Sequence, residues 1–468
     1  MLIVTFYIFL PKYDSANKIL SVKGEQKHMK RWFSVFMAAV LSIGFLVGCS
    51  TGNGGKTNNG STKNGVTTIT FWAAPNPTQQ VFWEDMAKKF MEKNPNIKVK
   101  VSPMKETPTS EASIQAAIAG HNAPTMSENI NRSFAAELAN SKAIVPLDTL
   151  EDWDKIVSGR KMENSAESWK FSDGHQYVMP LYSNAMLFAW RIDILKQLGY
   201  NEPPKTYSEV LDLVKKLKQK YPEKYLWAKA DLADPTAWKR WFDFFMLYNA
   251  ASDGNSFISG KKFAGDKEAG VKVLQFMKDL HDENALLIKQ SKNPFETGTS
   301  IFTDLGPWTF TSWKDNFPEM QLNKTFVLSP PPIPDGLKTD HIKTYADAKG
   351  LVIYASATKE QQKAAMKFAQ FVFSNPENDL ELLEKTSLLP ARDDLTTNET
   401  FTKYFNENPQ LKPYAAEIPY AVPAIDNAKY NDLQTFIGQY AFNKAVKGQG
   451  DPSKEWDDMA KAIEGALK

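Results

Sequence analysis

Hydrophobic and polar residues follow a strand, helix and strand pattern at the start of the globular chain. Residues 67–72 are β-branched and aromatic, as a strand requires. Phe82, Met86 and Phe90 then recur every four residues, which is the apolar stripe of an amphipathic helix. In residues 97–101 apolar side chains alternate with lysines, which predicts a strand with one solvated face. A strand, a helix and a strand within about 35 residues form a βαβ unit, so we expect a parallel sheet.

The same alternation continues towards the carboxyl end of the chain. Short apolar runs predict a strand at 124–128 and a strand and turn at 178–188. Apolar residues at helical spacing predict helices at 111–119, 132–139, 208–220, 238–248, 269–281, 359–373 and 452–467. The pattern as a whole predicts an α/β fold.

The amino-terminal residues have the pattern expected of a targeting signal. Lys30 and Arg31 precede an uncharged apolar run, 32–47, which ends at Gly48 and Cys49. A positive pair, an apolar run and a small residue before the cut are the parts of a secretory signal peptide. The end of the run resembles the bacterial lipobox, whose cysteine is lipid-modified and becomes the new amino terminus. The alternative is a plain transmembrane anchor of about 20 apolar residues.

We therefore interpret residues 1–48 as the signal peptide and 49–65 as a lipidated cysteine followed by a tether. We expect residues 1–28 to be either an over-long gene prediction or an extended n-region of the signal peptide. The translation start is accordingly Met1 or Met29. Residues 50–65 contain only Ser, Thr, Gly, Asn and Lys. Such a segment cannot bury a core and behaves as a flexible linker.

Composition excludes several classes of protein. With 42% hydrophobic and 24% charged residues among 468, the chain is neither a polytopic membrane protein nor largely disordered. The first 48 residues carry a charge of +4 against +2 for the whole chain, which leaves −2 on the remainder. This near-neutral body gives no electrostatic case for binding nucleic acid. A single cysteine excludes an internal disulfide and a cysteine-based zinc site.

No catalytic motif stands out in the sequence. A G-x-S-x-G elbow, an H-E-x-x-H motif and an EF-hand loop are all absent, and the five histidines never fall at metal-ligand spacing. Carboxylates are plentiful, but sequence cannot show two of them facing each other across a glycosidic bond. We expect no catalytic residue, no cofactor and no metal, while an enzyme remains possible without a motif in its favour.

The tryptophans are more informative. Trp72 ends the first predicted strand, Trp308 follows a Gly-Pro turn, and Trp238 and Trp241 lie three residues apart near a predicted helix start. In α/β sheets ligands bind beyond the carboxyl ends of the strands. Aromatic faces there can stack on the C–H faces of a sugar while polar side chains bond its hydroxyls. The alternative interpretation of each tryptophan is core packing.

Taken together, these features resemble a known family. Segments that carry the resemblance follow one another in order over nearly the whole mature chain: 69–72, 90–99, 123–129, 144–148, 177–180, 199–207, 306–308, 349–353 and 388–392. The chain resembles the substrate-binding lipoproteins of bacterial carbohydrate ABC importers, extracellular solute-binding family 1 of the maltose- and multiple-sugar-binding type.

The resemblance implies a two-lobed periplasmic-binding-protein-like fold of type II, with the ligand enclosed between the lobes. Residues 66–183 with 351–390 would form the N-terminal lobe, and 184–350 with 391–468 the C-terminal lobe. The implied function is capture of a sugar, a di- or oligosaccharide, for delivery to a permease. The implied partners are the carbohydrate, the permease subunits and, through the lipid anchor, the outer face of the cytoplasmic membrane. We expect a monomer.

The resemblance also implies a set of ligand-binding residues. They come from the cleft segments 72–77, 128–132, 182–184, 234–238, 306–308, 345–349 and 423–426. Trp308 is expected to be the main stacking platform, supported by Trp72, Tyr182 and Trp238. The expected hydroxyl partners are Asn129, Arg132, Asn184, Asp234 and Asp347.

The sequence departs from the family's commonest pattern at 127–132, which lacks the aromatic residue often found at that strand end. The identity of the sugar therefore stays open. Two alternatives also remain: a binding protein of the same fold for a sugar phosphate, polyamine or metal complex, and a secreted carbohydrate-active enzyme.

Overall fold

The computed structural model describes residues 65–107, 109–235 and 239–468. The predicted signal peptide, Cys49, the tether up to residue 64 and Trp238 lie outside these residues. The strands are β1 (Thr67–Ala73), β2 (Ile97–Pro103), β3 (Met126–Ile130), β4 (Met179–Ala185), β5 (Leu187–Trp190), β6 (Tyr225–Ala228), β7 (Ile258–Ser259), β8 (Lys262–Phe263), β9 (Leu286–Leu287), β10 (Ser300–Leu305), β11 (Val327–Ser329), β12 (Thr344–Ile353) and β13 (Ala421–Val422).

Helices lie between the strands along most of the described chain. They are α1 (Pro77–Lys93), α2 (Ser110–Ala119), α3 (Arg132–Asn140), α4 (Trp153–Arg160), α5 (Glu163–Ser168), α6 (Ile192–Gln197), α7 (Tyr207–Lys220), α8 (Phe244–Ala251), α9 (Lys267–Asp282), α10 (Thr309–Asn316), α11 (Lys359–Phe373), α12 (Pro376–Thr386), α13 (Thr402–Glu407), α14 (Lys412–Glu417), α15 (Tyr430–Phe436), α16 (Asn443–Val446) and α17 (Pro452–Leu467). No helix of the described part is both long and apolar enough to cross a membrane.

The first sheet contains β1 to β4, β12 and β13. Its order is β13-β12-β3-β1-β2, and β4 pairs with β12 as well. Strand β1 runs parallel to β2 and to β3, so β1, α1 and β2 form the βαβ unit that the hydrophobic pattern predicts. The predicted stripe of Phe82, Met86 and Phe90 is buried in α1. The βαβ unit and the buried stripe are thus confirmed, but the expectation of a parallel sheet was wrong for the sheet as a whole, because β12 runs antiparallel to β3 and β4.

The second sheet contains strands from the middle of the chain. Its order is β11-β5-β10-β6-β9. Strand β10 runs parallel to β6 and antiparallel to β5, and β6 runs parallel to β9. The sheet is mixed because β5 runs antiparallel to both of its neighbours, β10 and β11. The two sheets, each with its own buried apolar clusters, give the two-lobed α/β fold.

The chain passes from one sheet to the other at Met186, the only residue between β4 and β5. The amide of Met186 donates to the carbonyl of Tyr345 over 2.8 Å, and the hydroxyl of Thr344 donates to the carbonyl of Met186 over 2.6 Å. The expectation of one strand and turn at 178–188 was wrong, because this run is two strands in two sheets. The chain returns between β11 and β12, and the lobe boundaries expected from the sequence stay a prediction.

A second departure from expectation concerns the helix predicted at 238–248. The described part of this segment is a 3-10 turn, Lys239–Phe242, followed by α8 from Phe244. The carboxylate of Asp243 accepts from the amide of Phe244. It also accepts two hydrogen bonds from the guanidinium of Arg240, at 2.9 and 2.7 Å. Asp243 thus caps α8 and is buried with its charge partner, which breaks the helical path at this residue.

A buried network of charged side chains holds β4 in place. The carboxylate of Asp379 in α12 lies between the guanidinium groups of Arg160 and Arg392, at 2.7 and 3.1 Å. Arg160 also donates to the backbone carbonyls of Pro180 and Leu181. Because every charge in the network has a partner, the cost of burying it is offset, and β4 is held in one position.

Candidate ligand-binding site

Strands β4 and β12 bring polar side chains together on one face of the first sheet. In the antiparallel ladder Asn184 lies opposite Asp347, and Tyr182 lies opposite Lys349. Directly paired residues and residues two apart in a strand share a face, so these four side chains form one surface, the β4–β12 polar face. Alternate residues on the opposite face, such as Ala346, belong to a buried core.

One buried polar atom of this face has no hydrogen-bond partner among the residues that the structure describes. The side chain of Asn184 is only 2% exposed, and its Oδ1 accepts no hydrogen bond from the described residues. A buried amide oxygen without a donor costs free energy, so such atoms are rare in folded proteins. An acceptor in this position is suited to a hydroxyl donor supplied by a ligand.

The end of β3 joins the polar face through Lys349. Its ammonium donates to Oδ1 of Asn129 over 2.6 Å, and the amide of Asn129 donates to the hydroxyl of Ser110 over 3.3 Å. Asn129 has a φ of 67°, a left-handed conformation that asparagine adopts more readily than most residues. Three of the predicted hydroxyl partners, Asn129, Asn184 and Asp347, are thus brought together with Tyr182.

Glu128 lies next to this cluster and was not singled out in the sequence, although its segment was. Its side chain is fully buried, with Oε1 accepting from the amide of Ala74 at 2.6 Å and Oε2 from the amide of Gln79 at 2.9 Å. Burial raises the pKa of Glu128 from 4.5 to about 7, while these two donors, the indole of Trp83 and the charge of Lys349 oppose that rise. A carboxylate at the end of a buried strand was the available signal.

The charges of the polar face influence one another. Burial raises the pKa of Asp347, and Lys349 opposes the rise. Burial, followed by the nearby carboxylates of Asp347 and Glu128, raises the pKa of Tyr182 well above its ordinary value. The phenol therefore stays protonated. The face presents a hydroxyl, an amide, an ammonium and a carboxyl group, a mixture of donors and acceptors suited to a polyhydroxylated molecule.

Aromatic rings connect the polar face to the second lobe. Tyr345, two residues before Asp347, stacks on Trp241 with ring centroids 5.0 Å apart and planes 9° from parallel. Phe242 meets Tyr345 edge-on at 5.8 Å and Trp308 edge-on at 6.4 Å. Trp308 is 50% exposed. An uncovered indole thus lies at the end of an aromatic path that leads to the polar face.

Two further predicted residues, Trp72 and Asp234, are not part of the β4–β12 polar face. Trp72 is half-buried in β1 and packs against the core that contains Ile130. Asp234 is half-buried at the end of a 3-10 turn, Ala230–Ala233. Trp241 and Phe242, which were not among the expected ligand contacts, pack against the ring of Tyr345.

Arg132 is occupied by contacts within the protein. Its guanidinium donates to the carbonyls of Trp169, Lys170 and Ala424. It also lies 3.8 Å from the carboxylate of Asp426 and stacks over Phe171 at 5.1 Å. Burial lowers its pKa, and Asp426 opposes this. These contacts attach the segment after β13 to the first lobe.

Comparison with known proteins gives the family. The sequence profile described as bacterial extracellular solute-binding protein matches residues 85–413. The chain belongs to this family. As a member of an extracellular family, this solute-binding protein acts outside the cytoplasm.

Several individual proteins are similar to this solute-binding protein. The maltotriose-binding protein of Pyrococcus abyssi is 22% identical over 331 residues, 69% of this chain, and the chain spans 66% of that relative's length. The crystal structure of the uncharacterized protein lmo0859 from Listeria monocytogenes EGD-e is 56% identical with a TM-score of 0.85, covering 86% of this chain and all of that one.

More distant structures support the fold of the solute-binding protein. The cyclic alpha-maltosyl-1,6-maltose binding protein of Arthrobacter globiformis superposes with a TM-score of 0.71 at 17% identity, over 86% of this chain and 100% of that one. At this identity the likeness establishes the two-lobed α/β fold expected from the sequence.

Proposed function

We propose that this solute-binding protein captures a neutral di- or oligosaccharide and delivers it to the permease of an ABC importer. The proposal depends mainly on one observation: the buried Oδ1 of Asn184, which lacks a donor, lies beside Asp347 on a polar face that an aromatic path joins to the exposed Trp308. Sugars combine hydroxyls around a ring with apolar C–H faces, and this site offers partners for both.

The charge of the site favours a neutral ligand. Lys349 is the one cation on the β4–β12 polar face, and its ammonium is engaged by Asn129 and attracted by Glu128 and Asp347. A phosphate or carboxylate ligand would meet the carboxyl group of Asp347 on this face. Arg132, which lies in the cleft segment 128–132, donates to backbone carbonyls. The similarity to a maltotriose-binding protein and to a cyclic maltosyl-maltose-binding protein also supports a neutral oligosaccharide as the ligand.

Isothermal calorimetry with glucose, maltose, maltotriose, maltotetraose and glucose 6-phosphate tests this function. We expect stoichiometric binding of at least one neutral oligosaccharide and none of the phosphate. Binding of the sugar phosphate alone would favour the anionic alternative. Chromatography of the sugars after incubation addresses the enzyme alternative, because a binding protein returns them unchanged and an enzyme yields shorter products.

We further propose a lipid anchor at Cys49, a monomeric state and lobes divided as the sequence predicts. The support for the anchor is the sequence alone: an apolar run ending in Gly48 and the single cysteine, followed by a polar tether. Such an anchor would hold the receptor within tether length of the permease at the outer face of the membrane. Mass spectrometry of the mature protein would identify a diacylglyceryl group on the cysteine.

A further inference from the structure

Glu128 occupies a position where β3 meets the connection from β1 to α1. The residue before it, Ser127, pairs with Trp72 of β1 in the parallel ladder. Segment 74–79 comprises the connection from β1 and the first turn of α1. The two carboxylate oxygens of Glu128 accept from both parts, one from the backbone amide of Ala74 and the other from the side-chain amide of Gln79. Glu128 therefore attaches both ends of this segment to β3.

Segment 74–79 borders the candidate site. Ligands of α/β sheets bind beyond the carboxyl ends of parallel strands, and both β1 and β3 end here. Ala74 is buried directly after β1, and Asn76 caps α1 by accepting from the amide of Thr78 over 3.0 Å. Segment 74–79 therefore forms one wall of the candidate site, the 74–79 wall. Its position depends on the bonds to Glu128.

The charged and titratable groups around Glu128 come from each neighbouring strand. Lys349 on β12 attracts the carboxylate, and the phenol of Tyr182 on β4 lies within its electrostatic reach. Asp347 on β12 acts on Tyr182 and on Lys349. From α1 the facing polar groups are uncharged, the amide of Gln79 and the indole of Trp83. The carboxylate is therefore coupled to the β4–β12 polar face as well as to the 74–79 wall.

Hydrogen bonds to an ionised carboxylate are about twice as strong as those to a neutral group. Protonation of Glu128 weakens both bonds to the 74–79 wall and removes the attraction to Lys349. Burial raises its pKa to about 7, so this change of charge falls in the range of ordinary growth media.

We propose that Glu128 is a positioning residue for ligand capture, which in its ionised form fixes the 74–79 wall and Lys349 and thereby makes oligosaccharide affinity depend on pH. This inference rests on the proposed function. Glu128 acts through Ala74, Gln79 and Lys349, and it is not required to touch the ligand.

The test compares the wild-type protein with Glu128→Gln, using maltotriose as the probe and calorimetry between pH 5.5 and pH 8.5. We expect wild-type affinity to be at least about fivefold weaker at pH 5.5 than at pH 8.5, and the affinity of Glu128→Gln to be flat within about twofold. Glu455→Gln, which alters a buried carboxyl of α17 paired with Lys444, is the control and should keep the wild-type profile. Equal pH profiles for wild type and Glu128→Gln would overturn the proposal.

A second measurement keeps this test separate from the ligand. Hydrogen exchange at pH 8.5, where Glu128 of the wild type is ionised, should be faster in segment 74–79 of Glu128→Gln than in the wild type, with no change in α17. If no sugar binds and the exchange still differs, the proposed function fails while the positioning role stands. Unchanged exchange in 74–79 would refute the positioning role. Gln79→Ala removes one donor and should accelerate the same segment even if Glu128→Gln does not fold.

Discussion

Trp241 and Tyr345 stack face to face, with ring centroids 5.0 Å apart and planes 9° from parallel. Both rings are buried in the large core of the second lobe, although Tyr345 belongs to a strand of the first sheet. Phe242, the residue after Trp241, meets both Tyr345 and the exposed Trp308 edge-on. One aromatic path therefore has a structural end and a solvent-exposed end, and substitutions at the two ends should have different effects.

Trp308→Ala should weaken oligosaccharide binding at least tenfold, about 1.4 kcal/mol, because an exposed stacking surface is lost. The free energy of unfolding should change by less than about 0.5 kcal/mol, as for most surface substitutions. Calorimetry and chemical denaturation measure the two effects. Unchanged affinity would remove Trp308 from the site.

Trp241→Ala should instead destabilise the protein by about 3–5 kcal/mol, because it leaves a cavity in the core against Tyr345 and Phe245. Thermal and chemical denaturation measure this loss. A stable Trp241→Ala protein with no affinity would mean that the stack serves ligand contact more than packing.

Asn184→Ala should weaken binding by about tenfold while costing little stability, because its Oδ1 makes no hydrogen bond in the free protein. Ser183→Ala, at a neighbouring buried position in the same strand, is the matched control and should bind normally. If both variants bind as the wild type does, the β4–β12 polar face is not the ligand surface.

The pKa of Glu128 predicts how stability changes with pH. Between pH 4.5 and 7 the folded protein holds a proton on Glu128 that the unfolded chain releases. The free energy of unfolding therefore falls as pH rises through this window, by at most about 3 kcal/mol, and Glu128 adds no further change above it. Glu128→Gln lacks this contribution, so its stability relative to the wild type should rise from pH 4.5 to 7. Chemical denaturation across this range measures it, and a constant difference would contradict the raised pKa.

Arg132→Ala should destabilise the protein by about 3 kcal/mol, because it leaves Asp426 buried without its charge partner. The double variant with Asp426→Asn should recover part of that loss, since the unpaired charge is then removed. Denaturation of the two single variants and the double variant gives the coupling between the residues. Full additivity would show that the ion pair contributes nothing to anchoring the segment after β13.

Much of the fold could be predicted from periodicity, and the failures have physical causes. The stripe of Phe82, Met86 and Phe90 is visible because one face of α1 is solvated. Residues 179–190 are buried on both faces, so no alternation marks the point at which the chain changes sheets. The break before α8 depends on an ion pair between Arg240 and Asp243, which apolar spacing does not reveal.

The site was predictable in part. Asn184 and Asp347 are far apart in sequence, and only the family resemblance brought them into one set before the β4–β12 ladder placed them opposite each other. Glu128 was missed because a carboxylate acquires its importance from what is buried around it. Arg132 illustrates the converse, since a cation in a cleft segment is occupied by the carbonyls of Trp169 and Ala424.

The junction at Met186 has a mechanical consequence. Where β4 continues into β5, any swing of one sheet against the other must be absorbed by the backbone torsions of a single residue. Both its amide and its carbonyl are already bonded to the first residues of β12. This strand crossing is therefore a stiff connection between the two sheets.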